Sequence, residues 1–288
     1  MLGDHHGNVI HLGERECSLQ RRHQKVMEEC PSPLVAAYPE MRREMGQTAV
    51  EVARAAAYYN AGTVEFLVDS ERRFYFLEMN TRLQVEHPVT EMVTGIDLVK
   101  EQIRIAAGER LSCTQGQVEW RGAAIECRVY AEDPDNNFFP SPGKILVLDR
   151  PAGPGVRVDS GAYAGWTVPL EYDPLIAKLV VWAPTRDEAI ARLERALEEY
   201  HLTGIKTNLG FFRGIIESPE FRSGAVDTGF IDRWMARESP VSDGTPEQEQ
   251  AAVLAAALHA LRARSSNGAS PQAPTSRWKV EGRKALLR

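Results

Sequence analysis

The residues with the clearest capacity for chemistry lie within residues 62–88. Two β-forming stretches there flank a short polar turn, which predicts a hairpin. Glu78 and Asn80 are two residues apart on the second stretch, so their side chains point to the same face. Glu65 on the first stretch falls nearly opposite Glu78, where like charges repel. Because such oxygen groups suit Mg²⁺, the spacing predicts a divalent-cation site, with a solvated amphipathic hairpin as the alternative.

Residues 80–88, with the sequence NTRLQVEHP, place further hydrogen-bonding groups directly after the hairpin. Arg82 offers a planar guanidinium that can bind a carboxylate-like oxyanion such as bicarbonate. Glu86 is a candidate general base. Since a carboxylate near Arg and Lys stays ionised, this role would depend on its position against the substrate rather than on a raised pKa.

A basic, polar run, QRRHQK, occupies residues 20–25. Runs of this kind are usually solvated loops. The alternative is a nucleotide-facing segment, in which the Lys25 ammonium acts as a point charge on a transferred phosphate.

Hydrophobic spacing predicts the elements that position these groups. Residues 1–18 indicate a hairpin whose first strand would need chain before Met1. Helices are predicted over residues 40–60, 88–107, 185–203, 208–217 and 228–236, with a glycine ending the first three (Gly62, Gly108 and Gly204). Strands are predicted over residues 63–68, 73–79, 123–131, 144–149, 156–159 and 178–183.

Composition excludes several classes of protein. The 288 residues carry 34 basic and 40 acidic side chains, so there is no electrostatic footprint for nucleic acid. No apolar run approaches the roughly 20 residues of a spanning helix, and no basic amphipathic segment suits a membrane surface. The polar residues 1–15 contain no signal or transit peptide, and the four cysteines lack zinc or disulfide spacing. A cytoplasmic location is expected, or the mitochondrial matrix for a eukaryotic protein.

Several longer motifs, in order along the chain, resemble biotin carboxylase. They are CSLQRRHQK at residues 17–25, GTVEF at 62–66, FLEMNTRLQVEHPVTE at 76–91, ECR at 126–128, FPSPGK at 139–144, YDPLIAK at 172–178 and GIKTN at 204–208. The resemblance implies an α+β chain. Residues 1–112 would be the C-terminal portion of an ATP-grasp domain, without its N-terminal domain and lid. Residues 118–236 would be the biotin carboxylase C-terminal domain, and residues 237–288 a helix, a flexible linker and the start of a following region.

The resemblance also implies ATP- and bicarbonate-dependent carboxylation of biotin through carboxyphosphate. The Mg²⁺ or Mn²⁺ ligands would be Glu65, Glu78 and Asn80, and the ATP contacts would be Gln20, His23 and Lys25. Bicarbonate would bind Arg82, Gln84 and, through its backbone, Val85. Glu86 would be the base and Arg128 the cation beside the biotin enolate, so that Lys25, Arg82, Glu86 and Arg128 form the catalytic set.

The sequence departs from the family in two respects. The glycine-rich loop that covers phosphate in the family is missing, so a truncated chain with little or no activity is expected. The tail resembles the region that joins biotin carboxylase to later domains in acyl-CoA carboxylase α subunits. Because no biotinylation motif is present, the expected partners are a biotin carboxyl carrier domain and a carboxyltransferase subunit, with a homodimer forming through the C-terminal domain.

Two alternatives remain open from the sequence. One is another ATP-grasp ligase, of the pyruvate carboxylase or carbamoyl-phosphate synthetase type. The other is a non-catalytic fragment that only oligomerises through its C-terminal domain.

Overall fold

The computed structural model describes residues 1–237 and Leu254, and within residues 1–237 short strands alternate with helices. The strands are β1 (Leu2–Gly3), β2 (Val9–Ile10), β3 (Gln20–Arg21), β4 (Gln24–Lys25), β5 (Met27–Cys30), β6 (Asn60–Ala61), β7 (Thr63–Val68), β8 (Phe74–Asn80), β9 (Ala123–Tyr130), β10 (Glu132–Asp133), β11 (Phe139–Pro140), β12 (Gly143–Lys144), β13 (Val147–Asp149), β14 (Val156–Ser160), β15 (Thr167–Val168), β16 (Leu175–Ala183) and β17 (His201–Thr203). The helices are α1 (Pro33–Ala36), α2 (Pro39–Ala55), α3 (His87–Thr94), α4 (Leu98–Ala106), α5 (Arg186–Glu199), α6 (Leu209–Glu217), α7 (Pro219–Ser223) and α8 (Phe230–Arg237). Apart from Leu254, the predicted helix, linker and following region of residues 238–288 lie outside the described residues.

A four-stranded antiparallel sheet of order β14-β16-β9-β5 forms the main framework. Its strand β9 is buried along its whole length, because helices cover both faces of the sheet. Ile125 and Cys127 belong to the large core that includes α5 and α6. Ala124 packs instead with Val89 and Val93 of α3. Since side chains alternate along a strand, Glu126 and Arg128 also lie on the face towards α3.

The first residues form a second, smaller sheet of order β2-β1-β6. The predicted hairpin at the start of the chain is present, and its first strand is Leu2–Gly3 itself rather than chain before Met1. Leu2 and Ile10 pack with Leu98 and Ile105 of α4 in a separate core cluster. This sheet supports the segment that leads into β7.

The predicted central hairpin is confirmed as β7 and β8, and its register places Glu65 directly opposite Glu78. The register shifts between Glu65 and Phe66, so Leu77 is the extra residue of a bulge beside the two glutamates. Such bulges re-aim neighbouring side chains. The turn is closed by Asp69, whose Oδ1 accepts hydrogen bonds from the backbone N–H groups of Glu71 and Arg73.

Two predicted helices have different bounds in the structure. Helix α2 ends at Ala55 rather than at Asn60, because Ala57 adopts a left-handed conformation and the chain then enters β6. The single helix predicted over residues 88–107 is wrong, since it is two helices, α3 and α4. Gly95 ends α3 in the left-handed conformation, and Asp97 caps α4 by accepting a hydrogen bond from the Lys100 N–H.

Two strand-level predictions also differ. The strand predicted over residues 144–149 is divided between β12 and β13, which pair with β15 and β17 respectively. The capping box at Thr185 is confirmed, but α5 ends at Glu199, and β17 lies before Gly204. The basic run at residues 20–25 is not a plain loop, because it forms the tight β3–β4 hairpin.

All four cysteines lie among the described residues and are free thiols. Within the part of the chain that the structure describes, no helix is long and apolar enough to cross a membrane.

Candidate active site

The β3–β4 hairpin positions Lys25. Its two turn residues, Arg22 and His23, have φ angles of 49° and 66°, the positive values that a tight type I′ turn requires and that side chains other than glycine seldom adopt. His23 is therefore exposed at the tip, and Gln20 lies opposite Lys25 in the register. The three predicted ATP contacts thus share one hairpin.

Lys25 links the metal hairpin to the residues after it. Its Nζ donates to Oε1 of Glu65 and to Oε1 of Glu86, both at 2.8 Å. Burial lowers the pKa of Lys25, but the negative charge of Glu86 and the two hydrogen bonds outweigh it and raise that pKa above its ordinary value. The ammonium is therefore a fixed positive charge between two carboxylates.

Glu86 lies at the start of α3 and is only 2% exposed. Its second oxygen, Oε2, accepts a hydrogen bond of 2.9 Å from Nη2 of Arg128. Burial raises the pKa of Glu86, but the charges of Arg15 and Lys25 outweigh burial and lower it to about 2. Glu86 is consequently ionised and held between cations on both sides.

Arg128 extends from β9 on the face that α3 covers. Its Nε donates to Oε1 of Glu28 at 2.7 Å, and Nη2 also contacts this oxygen. Burial lowers the pKa of Arg128, and the charges of Glu28 and Glu86 raise it above its ordinary value. The two carboxylates orient the guanidinium and leave it 8% exposed.

The predicted metal donors converge on one small region. Asn80 Nδ2 lies 3.2 Å from Oε1 of Glu65 and 3.0 Å from Oε1 of Glu78, so a single small group reaches both carboxylates. Turning the Asn80 amide over would aim its oxygen at the same region. Two carboxylates and one amide oxygen match the hard ligands of Mg²⁺ or Mn²⁺, so the residues fit such an ion. The described residues contain no cluster of three or more His, Cys, Asp or Glu side chains suited to a metal, in keeping with a site that has only two acidic members.

A pocket beside the hairpin includes Arg82, Gln84, Thr63 and Arg15 in its lining. Arg82 is exposed, and its hydrogen bond within the described chain goes to the Leu83 carbonyl oxygen at 3.3 Å. Gln84 is buried, and its Nε2 donates to Oε1 of Glu65 at 2.7 Å. The structure thus brings Gln84 to the metal donors and leaves Arg82 free to turn.

The backbone at Val85 is held from the sheet. Its carbonyl oxygen accepts a hydrogen bond of 3.1 Å from Nζ of Lys178, which also lies 3.4 Å from Oδ2 of Asp159. Lys178 is the register partner of Arg128 on the adjacent strand. The sheet therefore positions both the predicted bicarbonate loop and the predicted enolate cation.

Two family models match the chain in succession. Residues 1–114 match the ATP binding domain of the carbamoyl-phosphate synthase L chain, and residues 126–233 match the biotin carboxylase C-terminal domain. A biotin carboxylase from Nostoc sp. (strain PCC 7120) is 57% identical over 231 residues, which are 80% of this chain and 51% of the relative. The chain belongs to the biotin carboxylase family. The predicted α+β fold, an ATP-grasp part followed by a biotin carboxylase C-terminal domain, is confirmed.

Other members of the biotin carboxylase family differ in the reaction that they serve. A pyruvate carboxylase subunit from Methanothermobacter thermautotrophicus is 54% identical over 81% of this chain and 47% of its own length. The biotin carboxylase domain dimer of Hydrogenobacter thermophilus 2-oxoglutarate carboxylase, solved with MgADP, ADP and bicarbonate, superposes with a TM-score of 0.81 at 47% identity. The match covers 84% of this chain and 53% of that one. The chain therefore spans about half the length of the curated relatives that it matches.

The sequence interpretation missed two residues of this candidate site. Arg15 donates to the hydroxyls of Thr63 and Thr90 at 3.0 and 3.1 Å and to Oε1 of Gln84 at 2.5 Å. Glu28 is the buried partner of Arg128. Arg15 carries no local signal, whereas Glu28 could have been suspected, because a charged residue inside the apolar run VMEEC must be buried with a partner.

Proposed function

We propose that this chain forms the metal-binding, bicarbonate-activating and biotin-facing part of a biotin carboxylase. The reaction is the ATP- and bicarbonate-dependent carboxylation of biotin on a carrier protein. The observation that carries the proposal is the continuous link from Glu65 through Lys25 and Glu86 to Arg128. That link joins the metal donors to the guanidinium on the sheet, so phosphate chemistry and biotin chemistry share one set of charges.

Glu86 is proposed to remove the proton of bicarbonate. A base with a pKa of about 2 is weak, and the charge of Lys25 is one of the causes of that low value. When Lys25 turns towards the γ-phosphate of ATP, Glu86 loses a positive partner and its pKa rises. Substrate binding thereby makes the base stronger at the moment when it is needed.

The bicarbonate oxygen then attacks the γ-phosphorus, the bond to ADP breaks, and carboxyphosphate forms. Arg82, Gln84 and the backbone of Val85 hold the bicarbonate, and Gln20, His23 and Lys25 contact ATP. Glu65, Glu78 and Asn80 would hold Mg²⁺ or Mn²⁺, which neutralises charge on the phosphates when bound. The fit of these three donors to a divalent cation, described above, is what supports their role in the reaction.

Carboxyphosphate decomposes to CO₂ and phosphate, and the phosphate accepts the biotin N–H proton. Arg128 then stabilises the negative charge of the biotin enolate while it attacks CO₂. The two buried carboxylates that orient the guanidinium, Glu28 and Glu86, keep it in place for this step.

The wider setting is also a proposal. Residues 1–112 and 118–236 act as the ATP-grasp part and the C-terminal domain, and the C-terminal domain forms a homodimer. The partners are a biotin carboxyl carrier domain and a carboxyltransferase subunit of an acyl-CoA carboxylase, acting in the cytoplasm. The dimeric relative from Hydrogenobacter supports the homodimer. The carboxyltransferase subunit determines which acyl-CoA accepts the carboxyl group.

The test is ATP hydrolysis that requires both bicarbonate and free biotin. The 288-residue chain is assayed alone and fused to the part of the Nostoc relative that it does not match. We expect little turnover from the chain alone and restored turnover from the fusion. Arg128→Gln in the fusion should abolish the dependence on biotin, and Arg43→Gln, at an exposed position on α2, should leave it unchanged. A fusion that folds, dimerises and shows no bicarbonate-dependent hydrolysis would instead favour a non-catalytic, oligomerising chain.

A further inference from the structure

Two buried glutamates face each other beneath the site, and the proposed chemistry assigns a proton to neither. Glu28 on β5 and Glu126 on β9 are register partners, and each is 0% exposed. Oε1 of Glu28 is occupied by Arg128. Among the described residues, Oε2 of Glu28 and both carboxyl oxygens of Glu126 are buried without a hydrogen-bond partner.

Two ionised carboxylates in these positions would be costly. Cβ atoms of directly opposed residues lie about 4.5–5.5 Å apart, so the two carboxyl groups can reach one another. A buried carboxylate without a partner takes up a proton rather than remain charged. A protonated carboxyl has an O–H group that can donate a hydrogen bond. Oε2 of Glu28 is an acceptor without a donor among the described residues.

The cations around Glu126 are already engaged with other partners. The charged groups near it are Glu28 on β5, Arg128 on the same strand, Lys178 on β16 and Glu86 at the start of α3. Lys178 contacts the Val85 carbonyl oxygen and Asp159, and Arg128 contacts Glu28 and Glu86. Burial, followed by the negative charge of Glu28, raises the pKa of Glu126 well above its ordinary value.

We propose that Glu126 is held protonated and donates a hydrogen bond to Oε2 of Glu28, so that Glu28 keeps its charge and fixes the guanidinium of Arg128. Glu126 is then a positioning residue that acts on Arg128 through Glu28. The catalytic meaning of that position rests on the proposed function, whereas the shared proton rests on the sheet alone. One proton thereby relieves the repulsion between two carboxylates and supplies the donor that Glu28 lacks.

The proton makes stability depend on pH in a defined direction. Glu126 titrates near 4.5 in the unfolded chain and higher in the folded one, so the folded chain binds more protons between these two values. The contribution of Glu126 to stability is fully present at pH values below its pKa in the unfolded chain. It is lost as pH rises through its pKa in the folded chain. Glu126→Gln carries a neutral amide that can donate in the same way, so it should lack this loss.

Urea unfolding of the full 288-residue chain from about pH 5 to about pH 9 tests this direction. The matched control is Glu29→Gln, because Glu29 is 1% exposed on the same strand as Glu28 but has both oxygens bound by Arg186. The midpoint of Glu126→Gln should equal that of the unsubstituted chain at low pH and exceed it increasingly at high pH. The Glu29→Gln midpoint should instead fall below that of the unsubstituted chain at high pH, because Arg186 loses its carboxylate partner. An equal loss for Glu126→Gln at every pH would overturn the proposal.

A measurement on the unsubstituted chain avoids any dependence on how a variant folds. With ¹³C-carboxyl-labelled glutamate, one signal should keep its protonated position at about pH 7, and Glu126→Gln should lack that signal. The absence of any protonated glutamate signal from the unsubstituted chain would overturn the proposal.

The positioning role has its own readout, the exchange rate of the Arg128 Nε proton that is donated to Glu28. Glu126→Met removes the donor and should speed this exchange, whereas Glu126→Gln should preserve the slow rate. Equal rates in the two variants would overturn the positioning role. None of these experiments measures turnover, so a failure of the proposed carboxylation would leave their results interpretable.

Discussion

Within the named strands of the described residues, two pairs of glutamates face each other, in opposite environments. Glu28 and Glu126 lie in the four-stranded sheet and are 0% exposed. Glu65 and Glu78 lie in the β7–β8 hairpin. Glu78 is exposed there, and the side chain of Glu65 is 23% exposed. The same pairing of like charges therefore has two physical solutions. Burial favours relief by a proton, whereas partial exposure allows relief by a cation.

The partners of each pair reflect this difference. In the hairpin, the Asn80 amide and the Lys25 ammonium donate to the carboxylates, and both are small, partly exposed groups. In the sheet, the large guanidinium of Arg128 occupies one oxygen, and the other three carboxyl oxygens have no hydrogen-bond partner among the described residues. We therefore expect the cation of the hairpin to exchange with solvent, whereas the guanidinium of Arg128 remains fixed in the sheet.

Removal of Arg128 should break the buried arrangement with the largest effect. Arg128→Met leaves Glu28 and Glu86 buried without their shared cation, and removing one partner of a buried ion pair costs about 3–5 kcal/mol. Urea unfolding at neutral pH measures the loss. The control is Arg43→Met, whose pair with Glu40 is exposed and screened by solvent, so that its loss should have little effect. A loss at Arg128 no greater than that at Arg43 would mean that Glu28 and Glu86 are not charged.

Glu86 should show an acid-side effect of opposite sign to that of Glu126. Burial raises its pKa, and the charges of Arg15 and Lys25 lower it from 4.5 to about 2, so its contribution is present above 4.5 and is lost as pH falls through the folded value. At 1.36 kcal/mol per unit, the contribution is on the order of 3 kcal/mol. The stability advantage of the unsubstituted chain over Glu86→Gln should shrink between about pH 5 and pH 2. Glu51→Gln, on the exposed side of α2, should differ from the unsubstituted chain by no more than about 0.5 kcal/mol. An advantage that does not change with pH would contradict the low pKa.

The contrast between the two pairs also explains what the sequence could predict. The hairpin pair depends on local spacing, since a short turn sets the register of Glu65 against Glu78. The sheet pair depends on strands that are about a hundred residues apart, because β5 joins β9 and β9 joins β16. Single-sequence periodicity carries no information on that pairing, and the apolar run containing Glu28 did not suggest a strand.

The predicted bounds of two helices were wrong for a related reason. Apolar residues continue at helical spacing through Gly95 and Asp97, although those two residues end one helix and begin the next. In the same way, Ala-rich spacing extends past Ala55, while the left-handed Ala57 turns the chain into β6. Tertiary contacts of α3 with the sheet and of α4 with β6 determine these breaks, and propensity alone does not reveal them.

The exposed pair should show the smallest effect on folding and a clear effect on ion binding. Glu78→Gln removes one carboxylate from a partly solvated set, so its unfolding free energy should change by less than about 1 kcal/mol and could rise slightly as repulsion from Glu65 is relieved. Its affinity for Mn²⁺, measured by the paramagnetic relaxation of water, should fall about tenfold or more because one of two charged ligands is lost. Glu71→Gln, in the exposed turn of the same hairpin, should bind Mn²⁺ as the unsubstituted chain does. If both variants bind equally well, the ion lies elsewhere and the opposed glutamates of the hairpin are only a solvated face. If Glu78→Gln instead unfolds as readily as Arg128→Met, exposure does not separate the two pairs, and the cation of the hairpin is as structural as that of the sheet.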